Sequence, residues 1–350
     1  MENFTNLIIE EDTIANLTCE ELQLVFGLPL PLPIHVANVL RFVQAFFYLT
    51  CFISGFFLNL FVMILVLRYK KLRIVTFTLA LQVCVGNMIN SIIVFPTSAV
   101  NAIAGRYVFT GLCSTFGFIA FFLGLARFYL MFVLVLDRFC TVFIPFSYQR
   151  RRIRVALLFS IGAWILAFTV ALFPVRGLLD CYTVLRNTWT CFPADGCINE
   201  RACFAYRWIS YSISNGSGVV SLVMYLFLFR KARKLRNRVA VATPLEVATS
   251  ETEREEMARR IKHERRANIT FFLLFLALIG VSIPPTIFVL IGRIIVIISD
   301  TALPTAYTVA EVLVGPTISL LILIDPIVIM RNQDFREVIR MLFRVQSSTS

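Results

Sequence analysis

Seven long apolar stretches dictate the solvent in which this chain folds. They run roughly over residues 39–67, 74–100, 113–143, 153–175, 205–230, 267–293 and 302–330, and most exceed the ~20 residues of helix that cross a bilayer's hydrocarbon core. With 58% hydrophobic and 15% charged residues, a water-soluble globule of 350 residues has too little interior to hide them. Backbone amides cannot stay unpaired in hydrocarbon, and the runs are too long and too uniformly apolar for alternating barrel strands. The expected fold is all-α: a seven-transmembrane helix bundle with a short amphipathic eighth helix on the inner surface. No internal repeat or second domain is evident. The chain divides into an extracellular tail over 1–38, a membrane domain over 39–330, and a surface helix with cytoplasmic tail over 331–350.

Basic residues are retained on the cytoplasmic side of a membrane. Arg68, Lys70, Lys71 and Arg73 separate the first two stretches, Arg150, Arg151, Arg152 and Arg154 the third and fourth, and all five lysines fall on this same side. The N-terminus is therefore expected outside and the C-terminus inside, in a multi-pass plasma-membrane protein. The net charge of +12 then reads as a topological signal; the partner it implies is the lipid bilayer, and no nucleic acid is needed. Residues 1–36 open with acidic and polar residues rather than a basic stub and an apolar core, so the first span is expected to act as the signal anchor. Asn3 and Asn16 begin Asn-x-Thr sequons on the outer side and are candidate glycosylation sites.

Cys19, Cys113, Cys181, Cys191, Cys197 and Cys203 lie outside or at the outer rim, where disulfides form. A bond from Cys113 to Cys181, Cys191, Cys197 or Cys203 would fix a cap over the bundle. On the inner side, 230–266 is the long loop, with helical charge spacing at Arg230–Arg238 and Glu251–Arg266 around a joint at 239–250. Beyond the last span, Phe335, Val338, Ile339, Leu342 and Phe343 share one face of a helix expected to lie on the membrane.

Charged residues inside spans are costly and need partners. Arg138 stands at the inner end of the third span, and adjacent Asp137 and Glu264 are its candidate partners. A snorkelling arginine in the headgroup layer is the plainer alternative. Arg127 lies deeper, ~16 Å of helix from Arg138. The clear acid at its depth is Asp325 on the seventh span, so a buried Arg127–Asp325 ion pair is expected, with Asn87 and Asn59 supplying hydrogen bonds. A purely structural polar cluster is the competing account.

Several landmarks agree in order and spacing: Asn59, Pro96, Asp137-Arg138-Phe139, Trp164, Pro174, Tyr225, Pro284, Asp325-Pro326 and Phe335. Over residues 39–343 they make the chain resemble a class A (rhodopsin-like) G-protein-coupled receptor, an orphan with altered motifs. The resemblance implies that binding of an extracellular ligand is transduced into G-protein activation through an inner crevice between the third and sixth spans. Asp137, Arg138, Phe139, Tyr225, Glu264, Asp325 and Pro326 would form the coupling switch. A heterotrimeric G protein is the implied partner, with arrestin drawn to the tail once Ser347, Ser348, Thr349 and Ser350 are phosphorylated.

The departures from the family pattern are specific. Phe139 and Ile329 each stand where the family carries a tyrosine, and Ser282 and Ile283 precede Pro284 without the usual tryptophan. Pro284 and Pro285 are still expected to kink the sixth span by removing backbone donors. Where the family's second span offers an Asp that holds sodium, this chain has Asn87, and Arg127 would occupy the ion's place. Phe116, Ala120, Phe121, Arg207, Arg293 and Glu311 are the candidate ligand pocket. Ala120 stands where amine receptors carry an Asp, the seventh span has no lysine for a retinal Schiff base, and the rim arginines weakly favour an anionic ligand.

Other classes fit less well. With histidine only at His35 and His263 and no zinc pattern, no catalytic residue, cofactor or metal site is expected, and the chain is not read as an enzyme. A transporter would show repeats or a polar path through the bundle. A chemosensory receptor of the same fold is the nearer alternative.

Overall fold

The described residues of the computed structural model are 34–144, 152–175, 182–185, 190–193, 200–241, 269–270, 272–281 and 317–349. The first span is one helix, Ile34–Arg68, and a 3-10 turn over Lys70–Leu72 reverses the chain at the inner surface. The second span starts at Val75; its α-helix (Val75–Ile89) passes through a π-helical turn (Asn90–Val94) into a further helix, Phe95–Ala104. Pro96 accounts for that turn. Its ring crowds the carbonyl four residues back and it has no N–H to donate, and one wider turn accommodates both defects. Gly105 ends the span in the left-handed region, at φ 63°.

The third span is Cys113–Phe143, the fourth Arg152–Leu172 and the fifth Glu200–Val241, whose basic inner end continues the helix past the apolar run. Phe272–Val281 and Thr317–Met330 are the described parts of the sixth and seventh. Together they make a seven-helix membrane bundle, with the surface helix Gln333–Thr349 at its inner end.

The third span runs down the middle of the packing. Leu125, Ala126, Leu130, Met131 and Leu134 are buried along it, whereas the fourth span shows Leu158, Ile161 and Ile165 outward, as expected for side chains that face lipid. The inward stripe of the fourth span is Ala156, Ser160, Ala163, Ala167 and Ala171. Side chains this small let it lie close against the third. Trp164 Nε1 donates to Gln82 Oε1 at 2.9 Å, tying the fourth span to the second. A comparable close approach joins the first, second and seventh spans at Gly55. A Cβ there would lie 2.7 Å from Ile322 Cγ2 and 2.9 Å from Ser91 Oγ.

The surface helix is docked rather than loosely laid on the membrane. Phe335 is fully buried edge-on against Phe77, ring centroids 4.9 Å apart. Asn332 Nδ2 donates to Thr270 Oγ1 at 3.0 Å, and Lys71 Nζ lies 2.5 Å from Glu337 Oε2.

One element was not expected from the sequence. Within the outer loop, β1 (Tyr182–Leu185) and β2 (Thr190–Pro193) pair antiparallel, with Val184 opposite Cys191, and the hairpin packs on the third span. Its two runs of β-branched and aromatic residues are four residues each, too short to stand out against surrounding loop.

Candidate functional site: two buried charge clusters

The first cluster lies in mid-membrane. Arg127 Nη2 is 2.7 Å from Asp325 Oδ2, and the Asp325 side chain is wholly buried. Asn87 Nδ2 donates to the same Oδ2 at 3.1 Å, and Arg127 Nη2 also donates to the Leu321 carbonyl at 3.3 Å. Three spans thus meet at one carboxylate. Asn59 plays a different part from the one expected of it. It reaches Asp325 only through Asn87, accepting from Asn87 Nδ2 at 3.2 Å, and its own Nδ2 donates to the carbonyls of Gly55 at 2.8 Å and Ile322 at 3.0 Å. The physical reason is that Pro326 has no N–H for the Ile322 carbonyl four residues back, so that carbonyl takes the Asn59 amide, which the close packing at Gly55 brings within reach.

This donor set does not fit a sodium ion. A cation at Asp325 would face the guanidinium already paired with it, and Asn87 presents its amide nitrogen, a donor, to the carboxylate. Among the described residues no group of three or more His, Cys, Asp or Glu is placed to hold a metal.

The second cluster sits at the inner end of the third span. Asp137 and Arg138 are both buried, and Arg138 Nη2 lies 3.3 Å from Asp137 Oδ2. The closer partner of Asp137 is a residue that sequence reasoning passed over. Arg152 Nε donates to Oδ1 at 3.0 Å and Arg152 Nη2 to Oδ2 at 2.9 Å, a bidentate fork from the start of the fourth span. Phe139 stacks on Phe143 at 4.3 Å, and Lys231 of the fifth span both donates to the Val142 carbonyl at 2.9 Å and sits 4.0 Å above the Phe143 ring. An ammonium at the C-terminal end of a helix meets orphan carbonyls and the negative end of the dipole. Tyr225 is buried with Val135, Leu228 and Phe275, close enough to Arg138 to feel its charge. Pro326 is buried within the seventh span, one residue past Asp325.

At the outer end, Cys113 is disulfide-bonded. Of its four candidate partners, Cys191 is on β2 and Cys203 in the fifth span, whereas Cys181 and Cys197 lie outside the described residues. Phe116 meets Phe109 edge-on at 5.8 Å, Ala120 is half-buried, and Phe121 is buried in the main apolar cluster. The Arg207 side chain, together with Arg293, Glu311, Glu264, Pro284, Pro285, Asn3 and Asn16, lies outside the described residues.

Comparison with known proteins agrees with this architecture. The family model described as 7 transmembrane receptor (rhodopsin family) matches residues 58–328. A D(1) dopamine receptor of Carassius auratus is 25% identical over 209 residues, covering 54% of this chain and 56% of the relative. The short-wave-sensitive opsin 1 of Homo sapiens is 32% identical over 149 residues, covering 41% and 42%. The chain thus spans about half the length of the curated relatives it matches. The crystal structure of squid rhodopsin superposes with a TM-score of 0.69 at 16% identity, over 88% of this chain and 86% of that one, a likeness of fold.

Proposed function

Because the chain belongs to the rhodopsin family of seven-transmembrane receptors, we propose that it is a cell-surface receptor that answers an extracellular ligand by activating a heterotrimeric G protein. The observation that carries this reading is the buried Asp137–Arg138 doublet, an arginine 3.3 Å from its carboxylate at the inner end of the third span. A buried arginine held by shared, breakable contacts has two discrete arrangements, held and released, and release against Glu264 opens a crevice between the third and sixth spans. Phe139, Tyr225 and Pro326 line or support that end of the bundle. The N-terminus faces outside, in keeping with the basic inner loops, and Asn3 and Asn16 are then on the glycosylated side. Cys191 is the proposed partner of Cys113, since its strand packs on the third span.

Dopamine and opsin relatives raise two ligand classes, and neither suits these residues. Ala120 offers an amine no carboxylate, and the seventh span has no lysine to hold retinal. A ligand with an anionic group agrees better with exposed Arg106 and with Arg207 and Arg293. Arg127, standing where a sodium ion would sit, makes the receptor's conformational balance independent of sodium.

The test is a panel of second-messenger and G-protein assays on cells expressing wild type, Arg138→Ala and Glu264→Ala at matched surface levels, with basal output read first. Raised output from Glu264→Ala and loss of output from Arg138→Ala are expected. Wild-type output from both would overturn the switch. Tags at the two termini of intact cells check the orientation: the N-terminal tag labels at once, the C-terminal one after permeabilisation.

A further inference from the structure

We propose that Arg152 is a positioning residue of the inner switch: by occupying both oxygens of Asp137 it loosens that carboxylate's hold on Arg138. The inference rests on the receptor reading above. Arg152 sits in a run of four arginines whose charge topology alone explains, yet its side chain turns inward. Nε and Nη2 engage Oδ1 and Oδ2 at 3.0 and 2.9 Å, the planar two-point geometry in which guanidinium and carboxylate bind most strongly. The nearest approach of Arg138 to the same group is longer, 3.3 Å, and falls on an oxygen that Arg152 already uses.

Two guanidiniums therefore share one carboxylate. Thr141 does not compete, because its hydroxyl donates to the Asp137 main-chain carbonyl at 2.6 Å. The fork draws the carboxylate's charge toward the fourth span and adds a second positive charge beside Arg138, and both effects lower the cost of withdrawing Arg138 from Asp137. The trio is also unequally reachable: the side chain of Arg152 is 20% exposed, those of Asp137 and Arg138 are 1% and 3%. Arg152 is the member that a partner entering from the inner side touches first, so a carboxylate on that partner would compete for it and return Asp137 to Arg138.

The test compares full-length wild type, Arg152→Gln, Arg152→Lys, Asp137→Asn and the Arg152→Gln/Asp137→Asn double variant in membranes. Basal nucleotide exchange is read on a panel of purified heterotrimeric G proteins, normalised to folded receptor, and melting of the solubilised protein is followed alongside. Arg152→Gln should lower exchange about fivefold, the low end of ordinary coupling between sites. Arg152→Lys should fall between, since an ammonium cannot make the fork, and Asp137→Asn should raise exchange and abolish the effect of Arg152→Gln. A mere brace between spans would lower the melting temperature of Arg152→Gln and leave exchange per folded receptor untouched. That outcome, raised exchange, or an equal effect with Asn at 137 would overturn the proposal. Silence from all five chains would instead refute the receptor reading, a result distinct from normal exchange insensitive to Arg152.

Discussion

Replacing Arg127 and Asp325, singly and together, tests whether the mid-membrane cluster is a true ion pair. Asp325→Leu leaves the guanidinium with the Leu321 carbonyl at 3.3 Å and, among the described residues, no other ion-pair partner. Arg127→Met leaves a wholly buried carboxylate with Asn87 at 3.1 Å. Each single change strands a charge in low dielectric, at a cost of about 3–5 kcal/mol. The intact pair is itself imperfect, because among the described residues Arg127 Nε and Asp325 Oδ1 have no hydrogen-bond partner. Such atoms cost about 1–3 kcal/mol each. Removing both charges together therefore restores stability, and an apolar pair of similar volume is expected to be neutral or up to about 4 kcal/mol more stable than wild type. The assay is thermal unfolding of the detergent-solubilised protein, with surface expression as a second reading. Both single variants should melt lower and the double at or above wild type. A double variant as unstable as the worse single, or an Asp325→Leu variant as stable as wild type, would refute the pairing. Exchanging sodium for choline should leave the melting temperature unchanged; a sodium-dependent rise would sink the idea that Arg127 stands in the ion's place.

Two further predictions concern packing. Gly55→Ala places a methyl 2.7 Å from Ile322 Cγ2 and 2.9 Å from Ser91 Oγ. It should lower stability by about 1–3 kcal/mol, whereas Gly162→Ala, which meets nothing within 4 Å, should melt like wild type. At the inner surface, Phe335→Ala empties a fully buried site against Phe77 and should cost about 3–5 kcal/mol. Lys71→Ala breaks an ion pair whose partners are 48% and 38% exposed, and should cost under about 1 kcal/mol by the same melting assay.

The two charge clusters differ in how far they could be read in advance. Arg127 and Asp325 are 198 positions apart, yet each was the lone charge of its sign at that depth, so mutual need paired them. Arg152 was hidden by abundance. It lies among Arg150, Arg151 and Arg154, and a basic loop needs no explanation beyond topology. The signal that would have found it is the buried acid Asp137, whose two oxygens can accept more than one adjacent Arg138 offers. Asn59 shows the same limit: polarity and depth put it near Asp325, but the packing of the first span on the seventh at Gly55 sets its amide on the Ile322 carbonyl that Pro326 leaves without a donor.

The hydropathy of the chain by itself determined the number of spans, the helical class and the expected sidedness. Each of these is a property of one segment and its solvent: a run of twenty apolar residues seeks hydrocarbon whatever its neighbours do. What only the tertiary structure decided is how each helix is rotated and how deep it sits, and hence which guanidinium meets which carboxylate. Those choices come from side chains of separate segments packing against one another, such as the small-residue stripe of the fourth span against the third, which brings Arg152 onto Asp137.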